Sequence, residues 1–347
     1  MCQDESAWGW LVQLSSQPDT RLHSLTRDQH RVGRDSLHCS IVLGAREAEE
    51  AEKSFGGGDP NIFSRQHFAV SKTLGEEVAV LEDLGSRNGT WVNGVNVGVG
   101  RKIVLQHCSN ISLLGPEYHL FQYLDRTSLE GLYSRLISSK YLVSDLLGKG
   151  TTAEVRRAYK YHSGSNTTSS VALKMIKTKN WSSQYTKPKY IEAEVDIQRS
   201  LQHPCIVKIQ DVIKTEDKIT LVMEHVKGGD LFEVLFTKKP VRRRTEYEVK
   251  ILFYQLAHCI RYLHRNKIAH RDLKLENILV SSSSPFGRIK VSDFGKAIEW
   301  LLADLASLCS GLSKVWSRES PLKTYVGTPA YMAPEIARQE DSKKNEV

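Results

Sequence analysis

Two carboxylates, an ammonium group and an amide crowd into the last third of the chain. The stretch His270-Arg271-Asp272-Leu273-Lys274-Leu275-Glu276-Asn277 sets Asp272, Lys274 and Asn277 at short offsets, and Asp293-Phe294-Gly295 follows. This set suits phosphoryl transfer, in which a nucleotide carries its charge on oxygens and metal ions, so that a protein mostly positions and neutralises. In that chemistry Asp272 orients the attacking hydroxyl, Lys274 meets the transferred group, and Asn277 and Asp293 hold Mg²⁺. One such loop arises by chance. Here it stands in order with a Gly-rich turn, Val171-Ala172-Leu173-Lys174 and Ala333-Pro334-Glu335, and the joint match is specific.

Those residues need elements to hold them. Leu146-Leu147-Gly148-Lys149-Gly150-Thr151-Thr152-Ala153-Glu154-Val155 reads as a hairpin whose glycines let backbone N–H groups approach phosphates. From Thr245 to Leu263, apolar residues recur at helical spacing (Val249, Leu252, Phe253, Leu256, Ile260, Leu263), which predicts a core-facing helix before the loop. At these motifs residues 141–347 resemble a protein kinase domain. The resemblance implies that Gly148, Gly150 and Val155 cover the nucleotide and that Lys174 contacts its α- and β-phosphates. It also implies that backbone groups of Glu224 and Val226 face adenine, with Met223 at the rear of the pocket. Ala153 stands where the family has its third glycine. The partner of Lys174 lies in Ile191-Glu192-Ala193-Glu194, where the family's spacing to His203-Pro204 selects Glu194; by residue type alone both glutamates are solvated helix positions. Lys274 and Gly327-Thr328-Pro329 agree with enzymes that act on serine and threonine.

A chain of 347 residues that is 40% hydrophobic suggests two domains with sizeable cores. No apolar run is long enough to span a bilayer, and Met1-Cys2-Gln3-Asp4-Glu5 lacks the order of a signal peptide. The six cysteines (2, 39, 108, 205, 259, 309) include no CxxC pair, which indicates a reducing compartment and neither a zinc site nor a disulfide framework. Residues 1–125 hold 11 Lys and Arg against 16 Asp and Glu, a net of −5, and residues 126–347 hold 37 against 24, a net of +13. A basic second half suits nucleic acid or acidic substrates, but a cleft for nucleotide phosphates is the simpler cause, so no direct nucleic-acid or membrane partner is expected. Lys238-Lys239-Pro240-Val241-Arg242-Arg243-Arg244 reads either as a nuclear-import tract or as a solvated turn.

The first half alternates short apolar runs with turns, among them Leu11-Val12-Gln13-Leu14, His67-Phe68-Ala69-Val70 and Ile111-Ser112-Leu113-Leu114, which predicts a β-sandwich. Gly44 to Pro60, acidic and then Gly-rich, reads as a mobile loop. Between the strands stand Gly33-Arg34-Asp35, Phe63-Ser64-Arg65-Gln66-His67 and Gly85-Ser86-Arg87-Asn88-Gly89-Thr90. At these residues the half resembles a forkhead-associated (FHA) domain, a phosphothreonine-binding fold, over residues 8–124. The resemblance implies that Arg34 pairs with the phosphate, Ser64 and Arg65 add donors, Asn88 holds the peptide backbone and His67 braces the site. A planar guanidinium among short donors on loops is independently a phosphate pocket, whereas Asn88-Gly89 alone is a common hairpin turn and Arg34 alone an ordinary surface residue.

The expected architecture is therefore an all-β FHA sandwich (8–124), a polar connector (125–140) and an α+β protein kinase domain (141–347) with a complete N-lobe and a truncated C-lobe. FHA followed by kinase resembles the checkpoint kinase 2 family of the DNA-damage response. That likeness implies ATP and Mg²⁺ as cofactors, serine/threonine protein substrates, phosphothreonine-containing partners and homodimerisation through the FHA domain. It also implies an upstream damage kinase, a nuclear location with some cytoplasmic presence, and phosphorylation at Thr324 and Thr328 with Arg271 as a phosphate partner. Two features depart from the family. Asp293 to Glu335 spans 43 residues, with an insertion at about 297–318 whose apolar stripe (Ile298 to Val315) reads as an inhibitory helix, a packed insertion or a splicing product. The chain also stops at Val347, twelve residues after Glu335. The expectation is a poorly active, aggregation-prone chain, with a catalytically inert phosphothreonine-binding adaptor or dominant-negative truncated isoform as the alternative reading.

Overall fold

A computed structural model describes residues 6–14, 19–55, 62–72, 78–130, 133–150, 153–162, 166–177, 195–237, 244–282, 287–294, 298–299 and 329–331. The chain divides into two compact bodies, Met1–Lys177 with Ile213–Val222, and Thr178–Val212 with Met223–Val347.

The first body opens with the expected sandwich. Its strands are β1 (Gly9–Gln13), β2 (Asp19–Leu25), β3 (Gln29–Gly33), β4 (Ile41–Val42), β5 (Phe68–Lys72), β6 (Ala79–Asp83), β7 (Thr90–Val92), β8 (Val95–Asn96), β9 (Lys102–Val104), β10 (Asn110–Leu113) and β11 (His119–Asp125). One sheet runs β2-β1-β11-β10-β7-β8 and the other β4-β3-β5-β6-β9. Period-2 alternation is clearest in β6, where Ala79, Leu81 and Asp83 are buried while Val80 and Glu82 are half-exposed. Leu11, Val32, Phe68, Leu81, Ile111 and Phe121 fill the space between the sheets.

The stretch expected as a mobile loop instead contains helix α1 (Ala45–Phe55). Its alanines and glutamates are strong helix formers. Glu47 fixes it by accepting hydrogen bonds from the Gly44 N–H at 2.7 Å and from Gln13 Nε2 at 2.8 Å, and Ala51 is fully buried. The end of that stretch, residues 56–61, lies outside the described residues. The connector is not purely polar either: it carries α2 (Arg135–Ser138), and Leu129 and Ile137 are buried.

The same body continues with β12 (Tyr141–Lys149), β13 (Ala153–Tyr161) and β14 (Thr167–Lys177), antiparallel in that order. Next come β15 (Ile209–Lys214) and β16 (Lys218–Glu224), β16 lying beside β14.

In the second body residues 195–200 are helical, and α3 (Glu246–Arg265) is the expected helix before the catalytic loop. Thr245 caps it: its Oγ1 accepts from the Glu248 N–H at 3.3 Å, and the Thr245 N–H donates to Glu248 Oε2 at 2.8 Å. The helix carries two apolar stripes and not one. Leu252, Cys259 and Leu263 are buried, whereas Val249 and Phe253, expected in the core, are 41% and 68% exposed among the described residues. Short pairs β17 (Ile268–Ala269) with β20 (Ile298–Glu299) and β18 (Ile278–Val280) with β19 (Ile289–Val291) complete the body. Ile298 thus sits in a strand and does not begin a helix; residues 301–316 of the apolar stripe lie outside the described residues. No helix among the described residues is long and apolar enough to cross a membrane.

Candidate active site and phosphate-recognition site

In the first body the β12–β13 hairpin is closed by the Gly150 N–H, which donates to the Ala153 carbonyl at 2.8 Å. Register places Gly148 opposite Val155, and Val155 opposite Lys174. Directly opposed residues share a sheet face, so the hairpin valine and the strand lysine stand side by side. A Cβ added to Gly148 would meet nothing within 4 Å, so packing within the protein leaves open room there. Ala153, at the third glycine position, opens β13 opposite Ile176 as an ordinary strand residue.

The catalytic loop lies in the second body, and a histidine brackets it. His270 is buried; its Nδ1 accepts from the Asp272 N–H at 3.3 Å, so its Nε2–H donates to the Ser292 carbonyl at 3.0 Å. Its ring meets Phe294 edge-on at 4.8 Å, and Phe294 is fully buried. Ser292 donates twice to the Asn277 carbonyl, from its N–H at 2.9 Å and its Oγ at 3.1 Å. Asp293 therefore follows a residue locked to Asn277. Asn277 Nδ2 donates to the Asp272 carbonyl at 2.8 Å and reaches its Oδ2 at 3.4 Å, while Lys274 Nζ stands 3.9 Å from the same Oδ2. With Nδ2 committed, Asn277 offers its Oδ1. An amide oxygen and a carboxylate are hard donors of the kind that would suit Mg²⁺. Arg271 and Asp293 hold φ of 61° and 60°, a left-handed geometry that non-glycine residues adopt where surrounding contacts impose it. Burial lowers the Arg271 pKa.

The hinge segment is tied to the same body. Glu224 donates its N–H to the Lys208 carbonyl at 3.0 Å, and its carboxylate accepts from the Lys208 N–H at 2.8 Å and from Lys290 Nζ at 2.6 Å. With its carboxylate turned to Lys290 and its N–H to the Lys208 carbonyl, Glu224 keeps its backbone carbonyl for a ligand. Val226 is half-buried. Beyond it, Gly228 and Val280 exchange backbone bonds with Gly229's help: the Gly228 N–H donates to Val280, and the Val280 N–H to Gly229, both at 2.9 Å. A Cβ on Gly228 would run into the Val280 carbonyl.

The sandwich loops bring the four expected phosphate-site residues together. The Arg34 N–H donates to the Ser64 carbonyl at 3.1 Å, the Arg87 N–H to Ser64 Oγ at 2.8 Å, and Asn88 Nδ2 to the Ile62 carbonyl at 2.8 Å. Arg34 and Arg65 are exposed, and among the described residues the Arg34 guanidinium makes no hydrogen bond or ion pair. His67 is fully buried, which lowers its pKa; its Nδ1 accepts from the Ser64 N–H at 3.4 Å and its Nε2–H donates to the Gly89 carbonyl at 3.0 Å. This neutral ring ties the 64 and 89 loops. Two supports were not foreseen. Gly33 is required because a Cβ there would run into the Arg65 carbonyl. Asp83, 1% exposed, accepts from the Gly85 and Ser86 N–H groups and from the Ser86 and Thr90 hydroxyls. An Asp two residues before a Gly-Ser turn is the signal that could have revealed it. Glu194, Thr324 and Thr328 lie outside the described residues.

Comparison with known proteins agrees with this geometry. The family described as Protein kinase domain matches residues 141–347, and that described as FHA domain matches residues 30–114. Among relatives, the ovarian-specific serine/threonine-protein kinase Lok of Drosophila melanogaster is 33% identical over 79% of this chain and 54% of its own length. The probable serine/threonine-protein kinase fhkC of Dictyostelium discoideum is 32% identical over 95% of this chain and 49% of its own length. The serine/threonine-protein kinase cds1 of Schizosaccharomyces pombe is 28% identical over 93% of this chain and 65% of its own length. The chain thus spans about half the length of the first two. With an FHA sandwich ahead of a bracketed phosphoryl-transfer loop, the chain belongs to the protein kinase family, among the serine/threonine kinases that carry an FHA domain.

Proposed function

We propose that this protein transfers the γ-phosphoryl group of Mg²⁺-ATP to serine or threonine hydroxyls of protein substrates, and that its FHA domain selects partners by a phosphothreonine. The observation that carries the first part is the His270–Ser292–Asn277 bracket, which holds Asp272, Lys274 and Asn277 in one loop and joins it to the backbone that presents Asp293. Asp272 accepts the proton of the attacking hydroxyl and orients it; Lys274 neutralises the transferred oxygens. Asn277 Oδ1 and Asp293 are the residues that would hold Mg²⁺, which when bound would supply positive charge against the phosphates. Lys174 contacts the α- and β-phosphates, with Glu194 as its expected ion partner.

The second part is supported by an exposed arginine whose neighbours Ser64 and Asn88 are fixed by backbone bonds, so a phosphate meets a preorganised set of donors. Resemblance to the checkpoint kinase 2 family supports a nuclear role in DNA-damage signalling, FHA-mediated dimerisation, activation by an upstream kinase, and trans-autophosphorylation at the activation-segment threonines Thr324 and Thr328. Binding assays test both sites separately. Mg²⁺-dependent ATP affinity should fall at least tenfold in Asp293→Asn, and phosphothreonine-peptide affinity should fall at least tenfold in Arg34→Ala, each variant leaving the other ligand unaffected. Unchanged affinities would refute the assignment of the respective site.

A further inference from the structure

One end of the sheet β12–β14 is buried on both sides. Successive strand residues face opposite sides, yet Tyr141, Leu142, Val143 and Ser144 are all buried in sequence, as are Val171, Ala172 and Leu173. One cluster contains Tyr141, Leu142, Val143, Val171 and Leu173 together with Trp10, Val12, Leu22 and Leu124 of the FHA sandwich. The two sheets are also joined by backbone. Strand β14 pairs antiparallel with β2, with Thr167 opposite Arg21, Thr168 opposite Thr20 and Ser169 opposite Asp19. The Leu22 N–H donates to the Asn166 carbonyl at 2.8 Å, and the buried Thr20 and Thr168 hydroxyls lie 2.7 Å apart.

A polar cluster closes the contact. Gln122, in β11, is fully buried and satisfied at both ends of its amide. Its Nε2 donates to Asn110 Oδ1 at 3.1 Å and to Asp145 Oδ1 at 2.7 Å; its Oε1 accepts from Ser144 Oγ at 2.6 Å and from the Tyr159 hydroxyl at 3.2 Å. Asp145 in turn holds Arg157. Three of the four Gln122 partners belong to the kinase N-lobe. A buried amide with four correct partners fixes one alignment, because any slip leaves polar atoms dry and unpaired.

We infer that the outer face of the N-lobe sheet is a docking surface whose occupant is the FHA sandwich of the same chain, so that the phosphate-recognition loops and the strand bearing Lys174 form one rigid body. This contact does not depend on the functional reading above. Its consequence is that a partner held by the FHA domain is presented to the N-lobe at a fixed geometry, not at the end of a flexible tether. The edge strand β2, which would otherwise be open to pairing with another chain, is closed by β14.

Two measurements on the full chain test this. Opposed residues of an antiparallel pair have Cα atoms about 4.5–5.5 Å apart, within disulfide range. The double variant T20C/T168C should therefore form an intrachain disulfide under mild oxidation, seen by non-reducing electrophoresis and peptide mapping, while T20C alone should not. Absence of the bond, or a bond only between chains, would overturn the inference. Hydrogen exchange on the unmodified chain guards against a variant that fails to fold. The Leu22 amide should be protected at least about 100-fold relative to a free amide; less protection, as for an open edge strand, would overturn it too.

Discussion

Replacing Asp83 with alanine should unmake the phosphate-recognition site without touching a residue that meets the phosphate. The carboxylate receives N–H groups from Gly85 at 2.9 Å and Ser86 at 2.8 Å, and hydroxyls from Ser86 and Thr90 at 2.6 Å each. Burial pushes its pKa up, but these four hydrogen bonds outweigh burial and hold it below the ordinary carboxylate range, so it is ionised at neutral pH. Asp83→Ala strands the buried Ser86 and Thr90 hydroxyls. At about 1–3 kcal/mol for each stranded group, the loss should be about 2–6 kcal/mol. Asp83→Asn keeps the shape, an acceptor for the two N–H groups and donors toward the hydroxyls, and should cost about 1–2 kcal/mol. Urea unfolding followed by tryptophan fluorescence at pH 7 measures both, and fluorescence anisotropy with a phosphothreonine peptide reads the loop that carries Asn88. Affinity should fall at least tenfold in Asp83→Ala, about 1.4 kcal/mol, and less in Asp83→Asn. If the two variants were equal, and within about 0.5 kcal/mol of the parent, the carboxylate would not be organising the loop.

Acid should weaken the sandwich through a histidine outside that site. Burial and the nearby Arg21 lower the His23 pKa to about 4, and its Nε2 lies 2.9 Å from Gln13 Oε1. The unfolded chain takes up a proton near pH 6.5 and the folded chain does not. The stabilisation is therefore present above pH 6.5 and is lost as pH falls toward 4, amounting to about 2 kcal/mol between pH 7 and 5. Urea midpoints across that range should show this slope, and His23→Gln should reduce it; an unchanged slope would contradict the assignment. Gly33→Ala should cost about 1–3 kcal/mol and abolish phosphopeptide binding, because its Cβ would collide with the Arg65 carbonyl. A peptide titration of the folded variant with parental affinity would show that the loop shifts freely.

What could be read from the sequence were the residues whose chemistry is carried by short contiguous stretches. Asp272, Lys274 and Asn277 sit within six positions of one another, and Ser64 and Asn88 lie in compact turns, so type and spacing suffice. Residues whose role arises from pairing across the fold were not legible. Strand β2 reads Asp-Thr-Arg-Leu-His-Ser-Leu, too polar for a confident strand, and becomes one because β1 and β14 flank it. Thr20 and Thr168 meet across 148 positions of sequence. Helix α1 has the alanines and glutamates of a helix former, but its anchor, Glu47 reaching Gln13 in another element, was not legible. In α3 the helical period was legible but not which of two apolar stripes is covered. The bracket of His270 and Ser292 was also missed, because Ser292 acts through its carbonyl, N–H and hydroxyl and not through chemistry its type advertises.

The most direct test of the account is γ-phosphoryl transfer from Mg²⁺-ATP to a serine/threonine peptide by the purified chain and by its Asp272→Ala variant. The expected result is transfer, however slow, that falls at least about 100-fold in the variant while Mg²⁺-ATP affinity is retained. Equal rates in the two proteins, or tight Mg²⁺-ATP binding with no transfer by either, would contradict the proposal that the loop from His270 to Asn277 performs this chemistry.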